Sequence, residues 1–171
     1  MTARLSRPEE PSGPAPGLMR REQFQTAYVT NDLDRACQLL GERYGIASYS
    51  YLEGEMPEGG QIRVAFAWVG SNMYEIIDAR GGKEAEFYTS RLPKDGFAIA
   101  FHHLGYLIHD REEWGAVRQE IAERKLPVLL DTANPGFMDA IYIEAPELGH
   151  YLEFIFPEQD GLDFFHAVPA N

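Results

Sequence analysis

The stretch QTAYVTND, residues 25–32, returns later in the chain as HLGYLIHD, residues 103–110. Tyr28 aligns with Tyr106, and each stretch closes on an aspartate. The two copies are 78 residues apart, which is 103 minus 25. In both, a β-type run leads into an aspartate that can cap a helix, so each copy predicts a strand followed by a helix.

A second segment repeats at the same offset. YEII, residues 74–77, aligns with LEFI, residues 152–155, and this places Glu75 on Glu153, again 78 residues apart. Two separate alignments that agree on one offset indicate an internal duplication, and the presence of such a repeat decides the fold before any single motif does.

The hydrophobic pattern gives both halves the same order of elements, β-α-β-β-β. We therefore predict an α+β fold with two tandem βαβββ modules, at about 23–80 and 100–158, in a single domain over 21–171 with a C-terminal extension, 159–171. The predicted strands are 24–30, 47–52, 62–69 and 73–77, then 101–108, 127–130, 140–144 and 151–156, and the predicted helices begin at 33 and 111.

Residues 1–20 differ from the rest of the chain. They hold four prolines and two glycines and lack the apolar stretch of a signal peptide. We predict a flexible N-terminal segment outside the domain.

Composition limits the classes of function. The 171 residues carry a net charge of −12, which argues against a protein that holds nucleic acid through its phosphates. No run of apolar residues is long enough for a membrane span. The single cysteine, Cys37, excludes an internal disulfide or a zinc finger, and its place on an apolar helix face predicts a core residue. We expect a soluble, cytoplasmic protein that binds neither membrane nor nucleic acid.

The repeat selects four polar side chains. Glu75 and Glu153 each interrupt an apolar strand, and Gln25 and His103 occupy equivalent strands of the two modules. Taken singly, each glutamate could lie on the solvent face of a half-buried strand. A pseudo-twofold axis would instead bring all four together as a shell for a divalent ion. His102 adjoins His103, and since neighbouring strand residues point to opposite faces, we expect only His103 to face the site.

These residues resemble the vicinal oxygen chelate superfamily, which includes glyoxalase I, methylmalonyl-CoA epimerase, extradiol dioxygenases and bleomycin-resistance proteins. The resemblance covers roughly residues 23–171. It implies a cupped mixed β-sheet with helices on the outside and a divalent metal ion (Zn, Ni, Co, Mn or Fe) in the cup. The implied metal ligands are Gln25, Glu75, His103 and Glu153, a set that matches one form of glyoxalase I.

The resemblance also has departures. Val29 and Ala79 stand where glyoxalase I has an arginine and an asparagine for glutathione, which counts against a lactoylglutathione lyase. Epimerases usually have a histidine at the position of Gln25, and extradiol dioxygenases use two histidines and one glutamate. The acidic charge favours a small, weakly charged carbonyl compound over a CoA thioester.

The function implied is a metal-dependent isomerase, epimerase or lyase that abstracts a proton next to a metal-bound carbonyl of a small-molecule substrate. Glu153 would move the proton, with Glu58, which resembles a catalytic position of the epimerases. The alternative is a metal-free small-molecule binding protein of the bleomycin-resistance type. A homodimer is expected from the resemblance.

Overall fold

The computed structural model describes residues 17–56 and 59–171 and confirms the predicted fold class. After a short 3-10 turn at Leu18–Arg20, eight strands and four helices follow. In chain order they are β1 (Glu22–Thr30), α1 (Leu33–Tyr44), β2 (Ser50–Met56), β3 (Gly60–Val69), β4 (Asn72–Arg80), α2 (Glu84–Thr89), β5 (Ile99–Leu107), α3 (Arg111–Glu123), β6 (Val128–Asn134), β7 (Met138–Ala145), β8 (His150–Pro157) and α4 (Gln159–Ala167).

All eight strands join one sheet in the order β2-β3-β4-β1-β5-β8-β7-β6. The two modules meet at its centre, where β1 runs antiparallel to β5. Gln25 pairs there with Gly105, and Ala27 pairs with His103. An offset of 78 converts one of these pairs into the other, so the sequence repeat corresponds to a pseudo-twofold axis between β1 and β5.

The two predicted helices begin at their capping aspartates. Asp32 accepts a hydrogen bond from the Arg35 amide, and Asp110 accepts one from the Glu113 amide. These bonds satisfy amides that the first helical turn leaves without partners. Helices α1 and α3 then pack on one side of the sheet, which we call the outer face.

The opposite side of the sheet carries Gln25, Glu75, His103 and Glu153, and we call it the site face. Two further helices, α2 and α4, pack on it. Tyr88 of α2 and Phe165 of α4 belong to the same apolar cluster as the strand residues that flank Glu75 and Glu153. The centre of the site face is therefore covered by side chains.

Helix α4 is fixed at its C-terminal end. The indole of Trp68 donates to the Phe165 carbonyl, and the Trp68 amide donates to the Pro169 carbonyl at 2.9 Å. The side chain of Asn171 accepts hydrogen bonds from the amides of Ala47 and Ser48. In the described ranges no helix has the length and apolarity that a membrane crossing requires.

Candidate metal centre

Three of the predicted ligands converge on the site face. Glu75 on β4, His103 on β5 and Glu153 on β8 each offer a ligand atom, and the three atoms lie within 4.8 Å of one another. His103 Nε2 is 2.9 Å from an oxygen of Glu153 and 3.2 Å from an oxygen of Glu75. The pairing register explains the convergence, because Ala27 of β1 lies between Glu75 and His103.

Gln25 supplies a fourth polar atom at the same seam. It is 1% exposed, and its Oε1 atom is buried without a hydrogen-bond partner. Gly105 pairs with Gln25 on one side and with Glu153 on the other. Gln25 and Glu153 therefore flank the same glycine from opposite directions.

The four polar atoms are better suited to coordinating a metal ion than to hydrogen bonding with one another. Gln25 Oε1, Glu75 Oε2, His103 Nε2 and Glu153 Oε2 are all buried, and none makes a well-angled hydrogen bond. His103 Nε2 does stand at ion-pair distance from both carboxylates. Leaving buried polar atoms in this state is costly unless something else satisfies them. Ligand atoms about 2.1 Å from one ion stand about 3 to 4 Å apart. The two atom pairs at His103 Nε2, with separations of 2.9 and 3.2 Å, come close to this spacing. Imidazole with carboxylate and amide oxygens suits first-row divalent ions.

Without a bound metal ion, protons must offset the negative charges of the Glu75 and Glu153 carboxylates. Burial disfavours a charged imidazole, but Glu153 and then Glu75 outweigh it and raise the pKa of His103 to about 9. Burial raises the pKa of the Glu75 carboxyl, and the neighbouring Glu153 adds to the effect, while His103 opposes it. These pKa shifts favour a proton on His103 when no metal ion is bound.

Both histidines face the site, which corrects the expectation that only His103 would. Ala27 pairs with His103 and Tyr28 pairs with Phe101, so His102 is the unpaired residue of a β-bulge. A bulge breaks the alternation of faces because two residues on one strand oppose one on its partner. The sequence shows the two histidines but not the bulge.

His102 contacts His103 directly. The two Nδ1 atoms are 2.8 Å apart, and His102 Nε2 is 3.2 Å from the carbonyl oxygen of Phe87 in α2. Burial, followed by the charge on His103, lowers the pKa of His102 to about 3, so His102 is neutral at physiological pH.

Comparison with known proteins supports the fold only. No family model matches the chain, and no curated protein sequence matches it. Among solved structures, a methylmalonyl-CoA epimerase from Streptomyces coelicolor, in complex with 2-nitronate-propionyl-CoA, superposes with a TM-score of 0.56 at 13% identity, over 80% of this chain and 97% of that one. The chain therefore shares the fold of this epimerase.

A second solved structure shows the same similarity of fold. The methylmalonyl-CoA epimerase from Mycobacterium tuberculosis gives a TM-score of 0.56 at 11% identity, over 83% of this chain and 91% of that one. The predicted resemblance is thus confirmed in its fold. At these identities, activity and substrate do not transfer with it.

One tyrosine completes the surroundings of the centre. Tyr142 on β7 pairs with Glu153, and its ring stands perpendicular to that of His103 at 5.1 Å. Burial, followed by the charge of Glu153, raises the pKa of the Tyr142 phenol well above its ordinary value. The sequence gives no sign of this role, since nothing in a lone tyrosine marks it as the neighbour of a ligand.

The remaining predicted residues lie elsewhere. Glu58, the second catalytic candidate, is outside the described residues. Cys37 is buried on α1, where burial raises the pKa of its thiol to about 11, as expected for a core cysteine.

Proposed function

We propose that this protein is a metal-dependent isomerase or epimerase that removes and returns a proton beside a carbonyl group. The observation that carries the proposal is the buried cluster of Glu75, His103 and Glu153, whose ligand atoms lie within 4.8 Å of one another. The buried Oε1 atom of Gln25, on the strand between β4 and β5, has no hydrogen-bond partner and is the fourth candidate ligand. Such a set is costly to bury and has the composition of a divalent-metal shell.

The side chains divide the work. Gln25, Glu75 and His103 hold the ion, and Glu153 binds it and also accepts the substrate proton. A divalent cation bound there would stabilise the negative charge that develops on the carbonyl oxygen. Glu153 suits the role of base because a carboxylate beside the reacting carbon can take the proton on one face and return it. Glu58 remains a second candidate for the return of the proton.

Substrate entry requires a movement, since none of the four residues is more than 8% exposed. Of the two covering helices, α4 is fixed to β3 through Trp68 and Asn171. Helix α2 has only six residues and contacts the second module through the Phe87 carbonyl, which lies beside His102. Just after the helix, the Arg91 guanidinium donates to the Gly149 carbonyl of the second module. We assign the opening movement to α2.

The substrate class is a carbon acid activated by a neighbouring carbonyl. The solved neighbours are epimerases, which favours the isomerase branch over the lyase branch. The net charge of −12 still favours a substrate less anionic than a CoA thioester. Both substrate types therefore belong in the first test.

The test has a metal stage and a reaction stage. Protein purified without chelator is analysed for bound metal and then incubated in D₂O with methylmalonyl-CoA or with small 2-hydroxy ketones. We expect close to one divalent ion per chain and deuterium at the carbon next to the carbonyl of one substrate. Below about 0.1 ion per chain, with no rise in melting temperature on adding Zn²⁺, Ni²⁺, Co²⁺ or Mn²⁺, the metalloenzyme is refuted. Metal-free binding of a small molecule would then take its place.

A further inference from the structure

The two modules carry β-bulges at equivalent places. In β1, Gln23 pairs with Tyr106 and Gln25 with Gly105, which leaves Phe24 unpaired. In β5 the unpaired residue is His102. Phe24 and His102 are 78 residues apart, so the pseudo-twofold axis relates them. Each bulge turns the residue before a ligand toward the site face.

The two bulge residues make different contacts on the site face. Phe24 precedes Gln25 and packs on Phe165 of α4, with ring centroids 5.8 Å apart. His102 precedes His103 and makes polar contacts to it and to the carbonyl of Phe87. An amide ligand such as Gln25 has no tautomers, whereas an imidazole ligand has two, of which only one leaves Nε2 free.

The polar contacts of His102 have one consistent direction. A carbonyl oxygen can only accept, so His102 Nε2 must carry the hydrogen that points at Phe87. Among the described residues no carboxylate stands at ion-pair distance from His102, whose ring packs on Phe87 and Tyr88, so this buried ring is uncharged. Its Nδ1 atom then has a lone pair, which accepts from Nδ1–H of His103. The opposite arrangement would set two lone pairs against each other at 3.2 Å. With its hydrogen on Nδ1, neutral His103 presents a lone pair on Nε2 toward Glu75 and Glu153.

We propose that His102 is a positioning residue that holds His103 in the Nδ1–H tautomer. The hydrogen bonds run from His103 to His102 and from His102 to the Phe87 carbonyl. The proposal rests on the proposed metal site, since it explains how His103 is kept ready to bind. Partners behind metal-ligating histidines are usually carboxylates, carbonyls or water, and they raise metal affinity by fixing the ring. Here a second histidine, placed by a bulge, supplies that contact.

The wild-type protein provides the first test. Long-range ¹H–¹⁵N spectra at neutral pH distinguish the two tautomers of each histidine ring. We expect His102 as the Nε2–H tautomer in metal-free protein, and His103 as Nδ1–H with Nε2 coordinated after Zn²⁺ is added. Observation of His102 as the Nδ1–H tautomer overturns the proposal, and this spectrum does not depend on activity or on any variant.

Variants provide the second test, with Co²⁺ alone as the probe. His102→Phe copies Phe24 and removes the acceptor, and we expect it to weaken Co²⁺ binding about 10- to 100-fold. His102→Asn keeps an acceptor near the position of Nδ1 and should restore most of the affinity. Val117→Ala, in the core of the outer face, is the matched control that lowers stability without touching the site. It should bind Co²⁺ as the wild type does.

The outcomes separate this proposal from the proposed function. If the wild type binds Co²⁺ and His102→Phe binds it equally well, the positioning role is refuted while the metal site stands. If the wild type binds no divalent ion, the metal site is refuted, and the role of His102 falls with it. Should His102→Phe not fold, the tautomer of His102 in the wild type decides.

Discussion

The side chain of Gln25 occupies the space above Gly105 that any other residue at position 105 would fill. A Cβ atom on Gly105 would lie 2.5 Å from Gln25 Oε1 and 2.9 Å from its Cβ. The equivalent position in the first module is Ala27, which lies opposite His103 and is fully buried. The two central positions thus differ in that the second module has glycine where the first has alanine. The glycine is the one that lies against Gln25, the only amide among the four predicted ligands.

Gly105→Ala should displace Gln25 and weaken the site. We expect a loss of about 1–3 kcal/mol in the free energy of unfolding, the usual range for overpacking, together with weaker Zn²⁺ binding. Urea denaturation and metal titration measure the two effects. Gly115→Ala in helix α3 is the control, because a Cβ there meets nothing within 4 Å, and alanine should stabilise that helix by up to about 1 kcal/mol. Wild-type metal affinity in Gly105→Ala would show that Gln25 is not a ligand.

Glu153→Gln should abolish proton transfer while the fold stays intact. The amide is nearly the same shape but cannot act as a base, so we expect a fall in kcat of about 10² to 10⁴ in a deuterium-exchange assay. Circular dichroism checks the fold. Glu144→Gln, an exposed residue on the neighbouring strand, removes the same charge and should leave the rate unchanged. Full activity in Glu153→Gln would exclude Glu153 as the base.

Metal binding should tighten as the pH rises toward 9. A cation must displace the proton of His103, whose pKa of about 9 keeps that proton bound through neutral pH. Displacement of one proton gives about a tenfold gain in apparent affinity for each pH unit. Zn²⁺ competition titrations at pH 7, 8 and 9 measure the slope. A flat profile would mean that His103 is already neutral in the metal-free protein.

The metal-free protein should lose stability over the same range. The pKa of His103 is about 9 in the folded chain and 6.5 as its ordinary value, so folding favours the protonated ring. That stabilisation is complete below pH 6.5 and is lost as the pH rises to 9. Urea midpoints of chelator-treated protein should fall across this interval. In His103→Gln the decrease should disappear, and if it persists, another group is responsible.

Phe165→Ala should weaken the packing of helix α4 on the site face and so lower the stability of the protein. Phe165 is buried against Phe24 and Phe66, with ring centroids 5.8 and 6.5 Å away. Truncation of such a ring typically costs about 3–5 kcal/mol. The control is Phe101→Ala, because Phe101 is 36% exposed and should cost clearly less. Equal melting temperatures for the two variants would show that α4 contributes little to the folded state.

The sequence predicted the modules and the convergence because the repeat offset carries register information. One offset shared by Tyr28 with Tyr106 and by Glu75 with Glu153 implies that equivalent residues meet across the axis, whatever the exact ends of the strands. The ends themselves were less accurate, since β1 begins at Glu22 and β4 continues to Arg80.

The sequence did not predict what depends on tertiary context. The bulge at His102 leaves no trace in a period-two pattern, because it is defined by the partner strand. Helix α2 is only six residues long, and α4 lies in the segment interpreted as an extension, so neither offered a clear helical period. Both acquire their role from the site face on which they pack.

The seam between β1 and β5 divides the four polar groups evenly: Gln25 and Glu75 come from the first module, and His103 and Glu153 from the second. Within residues 17–56 and 59–171, neither half alone holds the cluster of Glu75, His103 and Glu153. Two fragments produced by a cut near Asp95 would therefore recombine more tightly when a divalent ion is present, because coordination is available only to the reassembled pair. The affinity of the two fragments for each other would therefore rise with the concentration of the divalent cation.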